Sequence, residues 1–122
     1  MRLMVFFGLS ACAAAEQPAT FSEVYEEILS LSCGFSSCHG GSAGAPYLGS
    51  AQEAYESLVD VASYAKEGAI LVIPGDPDNS YLIQKMEAAP NIEGDPMPPS
   101  SLLDAEIVER VRSWIADGAQ QN

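Results

Sequence analysis

The first strong hydrophobic pattern in the chain is that of an amphipathic helix that begins near residue 20. Thr20 and Glu23 have the spacing of a capping box, in which each side chain accepts a hydrogen bond from the other residue's main-chain amide. Apolar side chains then recur at intervals of three and four residues, at Phe21, Val24, Tyr25, Ile28 and Leu31. The pattern stops at Cys33-Gly34, so we predict a helix that buries one face and ends there.

A second capping-box spacing, at Ser50 and Glu53, predicts the start of another helix. The apolar positions that follow share one helical face and are Ala54, Leu58, Val61, Ala62 and Ala65. We expect this helix to end near Gly68. Residues 69–73 form a short apolar run that is compatible with a strand or with a buried extended segment, and periodicity does not decide between them.

Turn and loop signals dominate the next part of the chain. The sequence Pro74-Gly75-Asp76-Pro77 predicts a turn, and Asn79 or Ser80 can cap a short helix that runs through about Met86. Residues 89–101 contain four prolines, whose missing amide donors exclude regular structure there.

The last predicted helix runs from about Leu103 to Asp117, and Gly118 stands where a C-terminal cap is expected. Its apolar face consists of Ile107, Val111, Trp114 and Ile115. The whole pattern therefore predicts an all-α protein in which glycine- and proline-rich loops join the helices.

Composition narrows the classes of function. The chain has 122 residues, 5 Lys and Arg against 17 Asp and Glu, and a formal net charge of −12, which fits one small acidic domain. Nucleic-acid binding is disfavoured because it needs clustered basic side chains to neutralise phosphates. His39 is the one histidine, so a site that needs two histidines cannot be built from this chain alone.

The N-terminus has the features of an export signal. Residues 3–9 are a seven-residue apolar run after Met1-Arg2, too short to span a bilayer as a helix. The run ends in Leu9-Ser10-Ala11-Cys12, which resembles a bacterial lipobox. We therefore predict a lipoprotein-type signal peptide (1–11), a tether (12–19) that is lipidated at Cys12, and a folded domain (20–120) in the periplasm or cell envelope. Two alternatives are ordinary cleavage after Ala15, which would release a soluble periplasmic protein, and a buried apolar N-terminal segment.

The residues with the clearest chemistry are Cys33, Cys38 and His39. Two cysteines with a histidine directly after the second are typical of covalent haem attachment, in which both thiols form thioethers and the imidazole ligates iron. The usual gap between the cysteines is two residues, and here it is four. Cys33 and Cys38 are therefore five positions apart, and on a helix two side chains at that spacing point about 140° apart. This segment must depart from helical geometry if both thiols are to reach one haem. A zinc site with a recruited carboxylate, a disulfide and a Cys-His catalytic dyad remain alternatives.

A haem iron bound by His39 needs a ligand on its other face, and without a second histidine the usual candidate is a thioether. Two methionines follow the predicted signal peptide, Met86 and Met97. Met86 lies in a predicted amphipathic helix, where a role in the core is the default. Met97 lies between Pro96 and Pro98, which stiffen the backbone around it. We therefore favour Met97 as the ligand, with an exposed methionine without a ligand role as the alternative.

Together, these features resemble a monohaem class I cytochrome c domain, in particular the small exported domains of planctomycetes and myxobacteria. The resemblance covers about residues 21–119 and rests on the following segments in order: the helix before Cys33, the Cys33–His39 motif, residues 72–82, Met97-Pro98-Pro99, and the helix ending Trp114-Ile115-Ala116-Asp117-Gly118-Ala119. It implies a small cytochrome c fold, with crossed N- and C-terminal helices around one covalently attached haem c. It also implies that Cys33 and Cys38 form the thioethers and that His39 and Met97 ligate iron.

The expected function is one-electron transfer by a monomeric carrier rather than catalysis, because His39 and Met97 would occupy both axial positions of the iron. The acidic charge predicts a redox partner with a basic docking patch. Two alternatives belong to other classes. One is a haem-based small-molecule sensor or peroxidase-like domain, and the other is a disulfide-bonded structural lipoprotein without haem.

Overall fold

The computed structural model describes residues 16–41 and 44–122. The predicted signal peptide, Cys12 and residues 13–15 of the tether lie outside the described residues. Residues 16–19 precede the first helix without regular secondary structure.

The N-terminal helix spans residues 21–32 in three consecutive segments, which are α1 (Phe21–Val24), a π-helical turn (Tyr25–Leu29) and α2 (Ser30–Ser32). The predicted capping box is confirmed. The Glu23 amide donates to Thr20 Oγ1 at 3.2 Å, and the Thr20 amide donates to Glu23 Oε2 at 2.7 Å. The Thr20 amide and the Thr20 hydroxyl both donate to the Glu23 carboxylate, which favours its charged form and lowers the pKa of Glu23.

The π-helical turn changes which leucine is buried, and here the predicted apolar face is wrong at one position. Leu31 is 64% exposed, whereas Leu29 is fully buried. The amide of Ser30 donates to the carbonyl of Tyr25, five residues earlier, so the turn holds more residues than an α-helical one. Residues after the turn are rotated relative to the α-helical register, which carries Leu31 away from the core.

The second predicted helix begins as expected but is shorter. The structure has α3 at Ala51–Leu58, with Ser50 Oγ accepting from the Glu53 amide. The predicted end near Gly68 is wrong, because Asp60 takes a left-handed φ of 59° and its amide donates to the carbonyl of Val72 at 2.9 Å. The flanking valines are β-branched and favour the extended backbone that this pairing requires.

Residues 69–73 are extended and pair with the segment after α3. Val59 and Val72 form a parallel bridge, and Ala62 and Ile70 form an antiparallel one. The predicted turn at residues 74–77 is present, with Gly75 at a φ of 81°. Helix α4 spans Tyr81–Met86.

The predicted capping role of the serine before α4 is wrong. The Ser80 hydroxyl does not cap the helix but accepts from the Ile73 amide at 2.9 Å and donates to the Asp76 carbonyl at 2.8 Å. The side chain therefore joins the turn to the extended segment and is buried.

Helix α5 (Ala105–Ala116) packs on the N-terminal helix, as the resemblance implies. The rings of Phe21 and Trp114 lie 5.2 Å apart between centroids, and Arg110 forms a 2.7 Å ion pair with Glu27. Gly118 follows the helix with a φ of 106°, which confirms the predicted C-terminal cap.

Across the described part of the chain, the fold is mainly helical, with isolated bridges in place of a sheet, and the all-α prediction is confirmed at the level of class. Residues 89–101 form the predicted irregular loop between α4 and α5. No helix within the described ranges has both the length and the apolar character to cross a bilayer.

Candidate functional site

A cleft of about 510 Å³ brings together residues that are far apart in the sequence. Cys33, Cys38 and His39 line one part of it, and Met97 from the proline-rich loop (residues 89–101) lines another. The volume lies within the range of pockets that bind small molecules and cofactors. All four side chains that sequence reasoning assigned to a haem site within the described residues therefore border one cavity.

The cleft is lined mainly by apolar groups. Side chains of α4 and its neighbours that contribute include Leu48, Leu71, Tyr81, Leu82 and Met86. Two exposed aromatic residues, Phe35 at 55% and Tyr64 at 92%, also line it. Exposed aromatic rings beside an apolar cavity are suited to contact a flat apolar ligand or a partner protein.

The segment between the cysteines leaves the helix, as the four-residue gap requires. The amides of Cys33 and Gly34 both donate to the carbonyl of Leu29, at 2.9 and 2.8 Å, which ends the helical ladder. The chain then turns, and the amide of His39 returns to the carbonyl of Cys33 at 3.2 Å. This hydrogen bond closes a turn that runs from Cys33 to His39 and places both ends of the motif beside the cleft.

His39 is held through its main chain and its ring. The amide of Leu48 donates to the His39 carbonyl at 2.7 Å, and Nδ1 lies 3.4 Å from the carbonyl oxygen of Gly44. In the tautomer with the proton on Nδ1, the ring donates to Gly44 and its Nε2 carries the lone pair. That arrangement is common for histidines that ligate metals, because the second nitrogen's hydrogen bond orients the ring.

The two cysteines of the motif are both free thiols. Cys38 is exposed, whereas Cys33 is half-buried, and burial together with the nearby Cys38 raises the pKa of Cys33 to about 11. The structure therefore contains no bond of the kind that the disulfide alternative requires at these residues. Within the described ranges, no three His, Cys, Asp or Glu side chains are grouped so that they could hold a metal ion.

The two candidate methionines differ in their surroundings. Met86 is buried and belongs to the main hydrophobic core, which is the role that sequence reasoning favoured for it. Met97 is partly exposed at the cleft, and its amide donates to the carbonyl of Lys85 at 2.9 Å. The main-chain position of Met97 is thus tied to α4.

Among the residues that the sequence did not assign to the site are Lys85 and Tyr81, which line the cleft and also bind the proline-rich loop. A signal for this pair was present, since they are four positions apart on a helix and residues at that spacing share a face. Nothing in the local sequence indicates which loop they contact.

A second hollow lies along α5 and contains none of the predicted site residues. Its lining includes Glu16, Glu23, Glu106, Glu109 and Arg110. The amide of Ala19 donates to Ser113 Oγ at 3.2 Å at this hollow, so the described end of the tether lies against α5.

Comparison of the chain with protein-family models, with curated proteins and with solved structures finds no match.

Proposed function

We propose that the protein is an exported c-type cytochrome that carries single electrons through a haem held by Cys33, Cys38, His39 and Met97. The observation that carries the proposal is that these four side chains border one apolar cleft, although Met97 comes from a separate loop far along the chain. Cys33, Cys38 and His39 are neighbours in the sequence, so the independent part of this observation is that Met97 reaches the same cleft.

The donor set fits a covalently attached haem better than any other cofactor. Two thiols supply the atoms for thioether bonds, an imidazole supplies a nitrogen ligand, and a methionine supplies a sulfur ligand of the type found in cytochromes c. The apolar walls suit a porphyrin, whose iron when bound would supply one-electron redox chemistry. His39 and Met97 would be the protein's ligands to the iron, and a substrate would have to displace one of them to reach it.

The proposed fold is that of a small cytochrome c. Its support is the packing of the N-terminal helix against α5, with Phe21 and Trp114 in contact, and the position of Cys33 immediately after the first helix. A haem in the cleft would also add apolar contacts to a domain whose small size limits its own core.

The surface beside the cleft and the net charge support docking of a redox partner. The side chains of Phe35 and Tyr64 are exposed at the border of the cleft, where a partner protein can contact them and come close to the cofactor. The formal charge of −12 favours a partner with a basic docking patch. We further propose that the carrier is a monomer, tethered to a membrane through a lipid on Cys12 and located in the periplasm or cell envelope.

The test is to express the full chain with a haem-maturation system and to titrate the purified protein with a reductant and then with carbon monoxide. The proposal predicts a reversible one-electron reduction and no ready binding of carbon monoxide, since Met97 holds the position that it needs. Tight binding of carbon monoxide to the reduced protein would instead favour the haem-based sensor or peroxidase-like alternative. A colourless protein would reject both and favour a structural lipoprotein.

A further inference from the structure

The chain has two lysines, Lys66 and Lys85, and both bind the same loop. Neither forms an ion pair with a carboxylate of the described residues, although acidic side chains greatly outnumber basic ones. Their ammonium groups donate instead to main-chain carbonyl oxygens of the proline-rich loop. Both lysines thus contact the loop, although carboxylates are the more abundant partners in this sequence.

Lys85 makes the larger share of these contacts. Its Nζ donates to the carbonyl of Glu93 at 2.7 Å and also to the carbonyl of Asp95, and its own carbonyl accepts from the amide of Met97. The side chain of Lys85 therefore holds the loop before Pro96, and its main-chain carbonyl holds the loop after it. Hydrogen bonds from a charged donor are stronger than those between neutral groups.

Lys66 and Tyr81 complete the attachment. Lys66 donates to the carbonyl of Asn91, and its Nζ lies 5.6 Å from the centroid of the Tyr81 ring. The Tyr81 hydroxyl accepts from the amide of Glu93 at 2.9 Å. The contacts thus follow the loop from Asn91 towards Met97.

The loop needs hydrogen-bond donors from outside because it has few of its own. Its four prolines remove amide donors, so no regular ladder of internal hydrogen bonds can fix the position of its backbone. Without outside donors, the loop would lose its defined position, and so would the Met97 side chain that it carries. If the loop were flexible, fixing Met97 in one position as a ligand would cost conformational entropy.

We propose that the Lys85 side chain is the positioning group for Met97, and that its ammonium group fixes the sulfur at the cleft by holding Glu93 and Asp95 just before Pro96. This inference rests on the proposed function in so far as it concerns ligation of iron. Lys66 supports the same loop through a single hydrogen bond and contributes less.

The experiment compares Lys85→Gln with the matched control Arg110→Gln in the full-length protein carrying its haem. Both changes remove one positive charge, but Arg110 pairs with Glu27 and makes no hydrogen bond to the loop. Imidazole is added to the oxidised proteins, and its displacement of Met97 is followed by loss of the sulfur-to-iron charge-transfer band. We expect imidazole to bind about tenfold more tightly to Lys85→Gln, because the loop releases Met97 more easily.

Lys85→Arg should restore most of the wild-type affinity, since arginine also donates to carbonyl oxygens. Affinities of Lys85→Gln and Arg110→Gln that agree within about twofold would overturn the proposal. Hydrogen exchange at the Met97 amide provides a second measurement that does not depend on iron. It should be about tenfold faster in Lys85→Gln than in wild type, and equal rates would also overturn the proposal. A wild-type chain without haem would reject the proposed function, yet the exchange comparison would still test the role of Lys85.

Discussion

The main chains of Gly34 and Gly40 are in contact, with no space for a side chain on Gly40. A β-carbon at Gly40 would overlap the carbonyl oxygen of Gly34 and would lie 2.7 Å from its carbonyl carbon and 2.8 Å from that of Phe35. Both neighbours are backbone atoms, so neither can move aside without a change in the path of the chain. This contact closes the turn that carries Cys38 and His39 to the cleft.

Replacement of Gly40 by alanine is therefore expected to displace the turn and to reduce the fraction of protein that carries ligated haem. Gly44→Ala is the matched control, because a β-carbon at Gly44 meets no atom of the described residues within 4 Å. We expect Gly40→Ala to lower the free energy of unfolding by about 2 kcal/mol and Gly44→Ala to leave it nearly unchanged. Chemical denaturation followed by circular dichroism measures both, and equal stabilities of the two variants would contradict the account.

A second pair of variants tests the π-helical turn. Leu29→Ala should cost about 3 kcal/mol of unfolding free energy because it leaves a cavity in the core. Leu31→Ala should cost little, since that side chain is 64% exposed. A continuous α-helix with the predicted apolar face would give the reverse order in urea denaturation, so the ranking decides between the two registers.

The helix caps and the N-terminal register show what local sequence determines. Thr20 and Glu23 bind each other's amides across three residues, and such a contact depends on little else in the chain. The π-helical turn is different, because an insertion into the helical ladder is selected by how Leu29 packs in the core. A prediction from spacing alone buries Leu31, because such a prediction takes the rise and rotation per residue to be constant along the helix.

Contacts between distant segments explain the other differences. Helix α3 ends at Leu58 because the following residues pair with residues 70–72, and an apolar stripe does not reveal that competing partner. The candidate site was more accessible to prediction, since Cys33, Cys38 and His39 form one motif and prolines mark Met97. The roles of Lys66 and Lys85 required knowledge of which loop lies over α4.

The two thiols of the haem-free protein should react at different rates. Burial and the nearby Cys38 raise the pKa of Cys33 to about 11, and only a thiolate is a good nucleophile. At pH 8, iodoacetamide should therefore label the exposed Cys38 first, and labelling of Cys33 should rise as the pH approaches 11. Peptide mass spectrometry quantifies the two sites.

The same labelling reaction in urea is the control, because unfolding removes the burial and should bring the two rates together. Equal labelling of Cys33 and Cys38 under native conditions would show that Cys33 is not protected. The pH dependence follows from the direction of the shift, since a raised pKa keeps the thiol protonated over a wider range.

The acidic charge predicts how electron transfer depends on salt. Attraction to a partner with a basic patch should make the bimolecular rate fall by about tenfold or more between low and high ionic strength. Stopped-flow mixing of the reduced protein with oxidised electron acceptors of basic and of acidic character measures this. With the acidic acceptor the rate should rise with salt. Rates that do not change with salt for either acceptor would contradict an encounter directed by charge.

The most direct test of the central claim is the intact mass of the denatured protein after expression with a haem-maturation system. We expect one covalently bound haem per chain, and its loss when Cys33 and Cys38 are both replaced by serine. A mass that equals the polypeptide alone, in a host that attaches haem to another c-type cytochrome at the same time, would contradict the claim.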